Sequence, residues 1–369
     1  MAGHMLREAT LNLQTQSLGE AMRCYRNMDI PGMDQLCDGR EFTTAKQAQS
    51  VVRQNGLRGM VSEIYGVTNW DFTFEGHKGQ GDWQAALGVT LRVHHLAWQS
   101  MAGEAKRDYP AAIGYQSPWC DQYKMVEDHF SRVNIALTRG SPVCRVAVIH
   151  PIESYWLRYG PYDQSGEELA ARDAAFVDLT NWLLLGHIDF DFISESLFPE
   201  QTSLGDITGE YLQVSKCRYE VVIVPDLLTI RSTTLGRLSR FGKLGGRVLL
   251  LGDMPKYLDG QLPPSKLHIS NHLGPQNIIQ FTRFHLLNVL QSSRDIDIHL
   301  SEDTIYQRAG DRADTLLYQL RADGPNRYLF ICNTSRKEAY PVHVAMKGMI
   351  KNGNRWKKFC ALITWFEPE

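Results

Sequence analysis

Hydrophobic positions along the first part of the chain switch repeatedly between helical and strand spacing. Over 10–27, Leu11, Leu18, Met22 and Tyr25 fall near one face of a predicted helix. A short strand is expected at 30–34, then a polar loop at 37–40. The spacing predicts a helix over 44–55, with Thr43 as its cap and Gly56 as its stop. A strand at 59–64, a compact Gly-bounded helix at 81–88 and a strand at 89–97 complete the series. Strands and helices joined by such short connections favour a parallel sheet or a barrel. A further helix at 126–138 runs into Arg139-Gly-Ser-Pro142, a Gly/Pro break that reads as a domain boundary.

Beyond the break the alternation restarts. Residues 143–149 are a continuous apolar run, the pattern of a strand buried on both faces. Helix 166–185, strand 190–194, strand 219–225, helix 233–244 and strand 247–253 follow, with Gly245-Gly246 closing the last helix. This order predicts a doubly wound, flavodoxin-like domain. From about residue 300 the pattern turns to β, with 328–333 and 340–346 expected as the two strands of a hairpin around 334–338. The last ~20 residues continue it poorly, and so few strands make no stable sandwich alone. The expected division is 1–141, 142–298 and 299–369.

Composition narrows the function classes. The chain has 369 residues, 43% hydrophobic and 22% charged, enough for roughly two to three globular domains. With 39 basic and 41 acidic residues the net charge is -2, which implies neither a nucleic-acid footprint nor a membrane-surface patch. Seven scattered cysteines form no C-x-x-C pair, so neither zinc nor a disulfide framework is expected. A reducing, cytoplasmic setting fits that usage. The start, Met1-Ala-Gly-His-Met-Leu-Arg-Glu, lacks the apolar run of a signal peptide, and no stretch approaches the ~20 apolar residues of a membrane span.

The candidate chemistry gathers behind the strand at 59–64. Glu63 ends an apolar run, and Tyr65, Trp70 and Asp71 lie just beyond it. A carboxylate at a strand end, opening into an aromatic and acidic loop, is how α/β barrels build sugar-cleaving sites. Glycoside hydrolysis needs a second carboxyl group to protonate the leaving oxygen. Asp34, Asp71, Glu75 and Glu104 stand at predicted strand ends or in the loops after them, and no motif separates them from solvated loop carboxylates. Trp70 and Trp98 offer indole faces as sugar platforms. His94 and His95 are neighbours on a strand, so they point to opposite faces and cannot chelate one metal together; one of them is expected to face inward, toward a sugar hydroxyl. The ligand types in 71–78 match no metal-loop spacing, and neither a metal nor another cofactor is expected. In the second domain, the turn Leu251-Gly-Asp-Met254 carries no thiol for glutamine hydrolysis and no G-x-G-x-x-G cradle for a nucleotide.

Three strings carry a resemblance: Ser62-Glu-Ile-Tyr-Gly-Val-Thr-Asn-Trp70, Ala97-Trp-Gln-Ser-Met-Ala-Gly-Glu-Ala-Lys106 and Val148-Ile-His-Pro-Ile-Glu-Ser-Tyr-Trp156. With the order of predicted domains, the chain resembles the family forty-two β-galactosidases and related large glycosidases such as the α-L-rhamnosidases. The resemblance implies the C-terminal part of a (β/α)8 barrel, then an amidotransferase-like assembly domain, then a short β-sandwich-like piece. It implies that 30–34, 59–64 and 89–97 are the sixth, seventh and eighth barrel strands and that Glu63 is the nucleophile. The family's acid/base glutamate, at the end of strand four, has no counterpart before residue 140. Two expectations follow. One is a carbohydrate-active hydrolase acting through Glu63, with Trp70, Asp71, His94, Trp98, Asp34 and Glu104 toward the sugar. The other is a truncated, catalytically silent glycosidase with a structural or sugar-binding role. Either way an open partial barrel exposes sheet edges, so association with itself or a covering partner is expected.

Overall fold

The computed structural model describes residues 1–103, 111–274, 277–300, 313–339 and 341–347. The first unit is a four-stranded, all-parallel sheet in sequential order: β1 (Ala2–His4), β2 (Ile30–Gln35), β3 (Met60–Ile64) and β4 (Val89–His94). Its helices are α1 (Leu11–Ser17), α2 (Ala21–Tyr25), α3 (Phe42–Asn55), α4 (Phe74–Ala86) and α5 (Lys124–Leu137). The single helix expected over 10–27 is thus two short ones, broken at Gly19, whose φ of 82° no helix accommodates. The helix start expected after Thr43 is also corrected. α3 begins at Phe42, and the Thr43 hydroxyl bonds back to the Ala9 carbonyl instead of capping. Strand β1 escaped the sequence pattern because three residues are too few to show a period.

The second unit is a five-stranded parallel sheet in the spatial order Ile278–Ile279, Arg247–Leu251, Val221–Pro225, Val146–Ile149, Phe190–Ile193. Numbered along the chain this is the 2-1-3-4-5 order of a doubly wound sheet, and its four longer strands are buried on both faces as the apolar runs require, while Ile278 on the short edge strand is exposed. The break at 139–142 is not a bare linker. Ser141–Pro142 pairs with Arg321 and Ala322 of the C-terminal β region.

That β region differs from the expected hairpin. Asn326–Asn333 pairs with Leu316–Asp323, which turns tightly through Gly324 at φ 54°, while Val342–Met346 pairs with Ile296–Leu300. The tight Gly324 turn gives 326–333 a partner on its N-terminal side before 342–346 is reached.

Helix α3 joins the two units. Every residue from Phe42 to Gln54 is buried. Ala45, Ala48, Val51 and Val52 share one hydrophobic core with Phe190, Phe192 and Leu183. Its polar face meets Phe190–Ile193, an edge strand of the second sheet. Ser50 Oγ accepts the Phe192 N–H at 2.8 Å, and Gln54 Nε2 donates to the Phe192 carbonyl at 2.7 Å. Side chains of the helix therefore satisfy backbone groups that another strand would otherwise take, which protects the edge. Lys46 donates to Asp189 at 2.9 Å, and Arg53 reaches Asp189 at 2.8 Å and Asp191 at 3.1 Å, all four groups buried. The two cations hold the Asp189 carboxyl at about 2 against the opposing effect of burial.

Two stability predictions follow from this junction. Arg53→Met leaves two buried carboxylates facing Lys46 alone and is expected to cost about 3–5 kcal/mol in a denaturant titration; a loss under about 1 kcal/mol contradicts the account. The second concerns Glu195, just past the edge strand. Burial foremost, with the Glu153 charge adding, raises its carboxyl to about 8, although the Arg231 N–H donates to it at 2.8 Å. The folded protein then holds a proton that the unfolded chain has lost, so stability falls as pH rises from about 4.5 to 8. Glu195→Gln should flatten that slope, by on the order of a few kcal/mol over the interval. An unchanged slope in melts across that range would remove Glu195 as its source.

Candidate active site

The register of the first sheet decides which side chains meet. Asp34 on β2 pairs directly with Glu63 on β3, and Glu63 with Val93 on β4. His4 on β1 pairs with Gly32, two residues before Asp34 and so on the same face. Gly32 has no side chain to separate His4 from β3. A Cβ there would meet Val61 Cγ1 at 2.3 Å and the Val61 carbonyl at 2.5 Å. The His4 ring crosses over Gly32 and places Nε2 2.9 Å from Glu63 Oε2. On the other side His95 Nε2 stands 3.9 Å from Glu63 Oε1. Its ring lies against Gly66, where a Cβ would come within 2.9 Å.

His4 Nδ1 lies 3.1 Å from the Met5 carbonyl, which can only accept, so Nδ1 carries hydrogen. Burial foremost raises the Asp34 carboxyl from its usual range; the Glu63 charge adds to the shift, while His4 and His95 oppose it. One donor atom from each of His4, Asp34 and Glu63 lies within 4.8 Å of the others, a nitrogen-and-two-oxygen set of a kind that binds zinc or manganese. In the present geometry the His4–Glu63 contact already occupies the nitrogen. His4 and Glu63 are in direct contact, and Asp34 stands beside them.

The segment after β3 is held in an uncommon backbone conformation. Tyr65, Val67 and Asn69 have φ values of 71°, 59° and 65°. For a β-branched valine this is an outlier, and such strain gathers where surrounding structure over-determines it. Tyr65 supplies the anchor. Its hydroxyl donates to the His77 carbonyl at 2.9 Å, its ring lies 4.6 Å from that of His77, and its carbonyl accepts from Thr68 at 2.6 Å. Behind the sheet, Arg92 and His94 reach Glu127 at 2.7 and 3.2 Å. Hydrogen bonding from His94 foremost, with Arg92 assisting, takes the Glu127 carboxyl down to about 2.

Of the expected site residues, the structure brings Asp34 beside Glu63. His94 is engaged with Tyr123 and Glu127 on the opposite face, and its neighbour His95 is the one beside Glu63. The opposite orientation of the two histidines is therefore as expected. Trp70 and Trp98, following β3 and β4, pack together with ring centroids 5.6 Å apart, both half-buried. Asp71 and Glu75 are exposed, and Glu104 lies outside the described residues. His4 was missed because its strand was missed; a histidine in a strand of three residues carries no pattern. Glu63 itself is 25% exposed and opens to solvent. Two cavities elsewhere, one lined by Phe176, Arg172 and Phe281 and one by Arg26, Asn55 and Ser215, do not include it.

No family model matches the chain, and no curated protein matches it. Solved structures do. A rhamnosidase from Novosphingobium sp. PP1Y superposes with a TM-score of 0.61 at 17% identity, over 90% of this chain and 33% of that one. An exo-carrageenase of glycoside hydrolase family forty-two from Bacteroides ovatus gives 0.52 at 12%, over 85% and 43%. A β-galactosidase from Rahnella sp. R3 gives 0.47 at 16%, over 85% and 44%. The chain thus spans a third to less than half of the length of these neighbours. At these identities the likeness is one of fold: the chain has a glycosidase-like α/β fold, compatible with part of a glycosidase barrel. Among the described residues no helix is long and apolar enough to cross a membrane.

Proposed function

We propose that this chain is a carbohydrate-active hydrolase unit in which Glu63 and Asp34 form the reacting carboxyl pair. The observation that carries the reading is their placement on adjacent parallel strands with donor oxygens within 4.8 Å, and with Asp34 biased toward its protonated form. So short a separation is near the ~5–5.5 Å of retaining glycosidases and too small for the water that inversion needs. Glu63 is assigned attack on the anomeric carbon, and Asp34 donates its proton to the departing glycosidic oxygen. His4 and His95 hold the Glu63 carboxylate in place. In this assignment Asp34 takes the part that the resembled family gives to a residue of strand four. Trp70 and Trp98 would form the apolar platform for the sugar ring.

The assignment extends to the architecture. Residues 1–141 would be the C-terminal part of a (β/α)8 barrel, 142–298 an amidotransferase-like assembly domain and 299–369 a β-rich piece. A second reading has its own support. Leu91 and Val93, on the same face of the sheet as Glu63, are 47% and 48% exposed, where the inside of a closed barrel would be filled. A catalytically silent, sugar-binding or structural protein fits that open face equally well. In both readings self-association or a partner would cover it.

Chromogenic galactosides, rhamnosides, glucosides and fucosides test the assignment. Turnover is expected from the wild type, with a loss of about 10³-fold or more in kcat for Glu63→Gln. Asp34→Asn should lower kcat by about 10²–10⁴-fold and abolish the alkaline limb of the pH profile, because loss of the Asp34 proton removes the acid. Activity that survives Glu63→Gln ends the assignment of Glu63 as nucleophile, and a wild type inert on every sugar selects the silent reading. Light scattering should find an assembly larger than 42.0 kDa; a monodisperse monomer would leave the open face without its cover.

A further inference from the structure

A second place in the molecule has binding chemistry that the Glu63 group does not use. It is a cleft of about 540 Å3 between the two units, at the end of the first sheet opposite Glu63. Asn55 ends α3, and Arg26 and Asn27 precede β2, so all three lie at the N-terminal side of the strands. The 14 residues of α3 put the cleft roughly 20 Å from the Asp34 end. The opposite wall comes from residues that follow the edge strand Phe190–Ile193, chiefly Glu200, Gln201 and Ser215.

The wall is fixed in advance. Ser215, at φ 50°, turns the hairpin between Leu212–Val214 and Cys217–Tyr219, and its N–H donates to the Gln201 carbonyl at 2.7 Å. The next N–H, of Lys216, donates to the Gln54 carbonyl at 2.9 Å, which ties the hairpin to α3. Thr202 Oγ1 donates to the Gln213 carbonyl at 2.8 Å. These bonds cross between chain segments, so no ordering of the wall is needed on binding.

The groups presented to the cleft are those that recognise hydroxyls. The amides of Asn27 and Asn55 and the hydroxyl of Ser215 make no hydrogen bond within the described residues, although each can both donate and accept. The charges nearby are already engaged. Arg26 stands 3.6 Å from Glu200, and Asp206 accepts the Ser203 N–H at 2.9 Å. Among the residues that line the cleft no unpaired cation awaits a phosphate or carboxylate, and none offers an aromatic face to a base. Leu197 contributes the apolar contact.

We propose that this cleft binds a neutral saccharide of one or two rings, held by Asn27, Asn55 and Ser215. Its volume falls within the ~300–1,000 Å3 of small-molecule sites. It is an ancillary site, independent of any chemistry at Glu63. Saturation-transfer NMR with the full chain, using lactose and maltose at millimolar concentration, tests it. At least one disaccharide should bind wild type and Glu63→Gln alike, and the double variant Asn27→Ala/Asn55→Ala should bind about tenfold more weakly with an unchanged melting temperature. Should the double variant melt early, exposed Asn27→Ala alone serves, with a smaller loss expected. Three results overturn the proposal: no binding of either sugar, binding that ignores the asparagine changes, or binding that disappears with Glu63→Gln.

Discussion

Helix α3 has no solvent face, and the rest of the architecture depends on how its polar side chains are satisfied. Lys46, Gln47, Ser50, Arg53 and Gln54 would be costly to bury singly. Each finds its partner on the second sheet or beside it: Asp189, His150, the Phe192 N–H, Asp191 and the Phe192 carbonyl. The helix so acts as a further neighbour to an edge strand, with side chains in place of a ladder. Shifting α3 by one residue would rotate every one of these groups by about 100° and strand the buried charges. The junction therefore sets the relative placement of the two sheets with a specificity that apolar packing alone would not supply.

That fixed placement bears on both candidate sites. At the C-terminal end of the first sheet, parallel register lines up Asp34 and Glu63, and bare Gly32 lets His4 reach across β2. At the other end of α3, the same docking draws the Ser215 hairpin against Asn55 and forms the polar cleft. One helix thus positions carboxylates above its start and amides at its finish. The backbone strain after β3 belongs to the first of these ends. Tyr65, locked by His77 and Thr68, holds Val67 and Asn69 in left-handed conformations that the free chain would avoid.

Much of the architecture was legible in the residues. Apolar runs at 143–149 and 219–225 announced buried strands, which the structure forms over 146–149 and 221–225, and the strand–helix alternation announced a parallel sheet or a barrel. Glu63 was legible too, as a carboxylate at the end of such a run. The C-terminal pairing was not. A strand's alternation says that it pairs but not with whom, and the Gly324 turn gave 326–333 to an earlier segment than expected.

Sequence by itself determined most of the longer local elements, the parallel alternation and the acidic strand end, because periodicity and breaker residues act over a few positions. Tertiary structure alone decided which carboxylate faces Glu63, which of His94 and His95 joins it, and that His4 belongs to the group at all. Those are matters of register and of strand neighbours distant along the chain, and no local pattern encodes them. It also decided that the polar face of α3 is interior: a helix read from its own residues cannot report what packs against it.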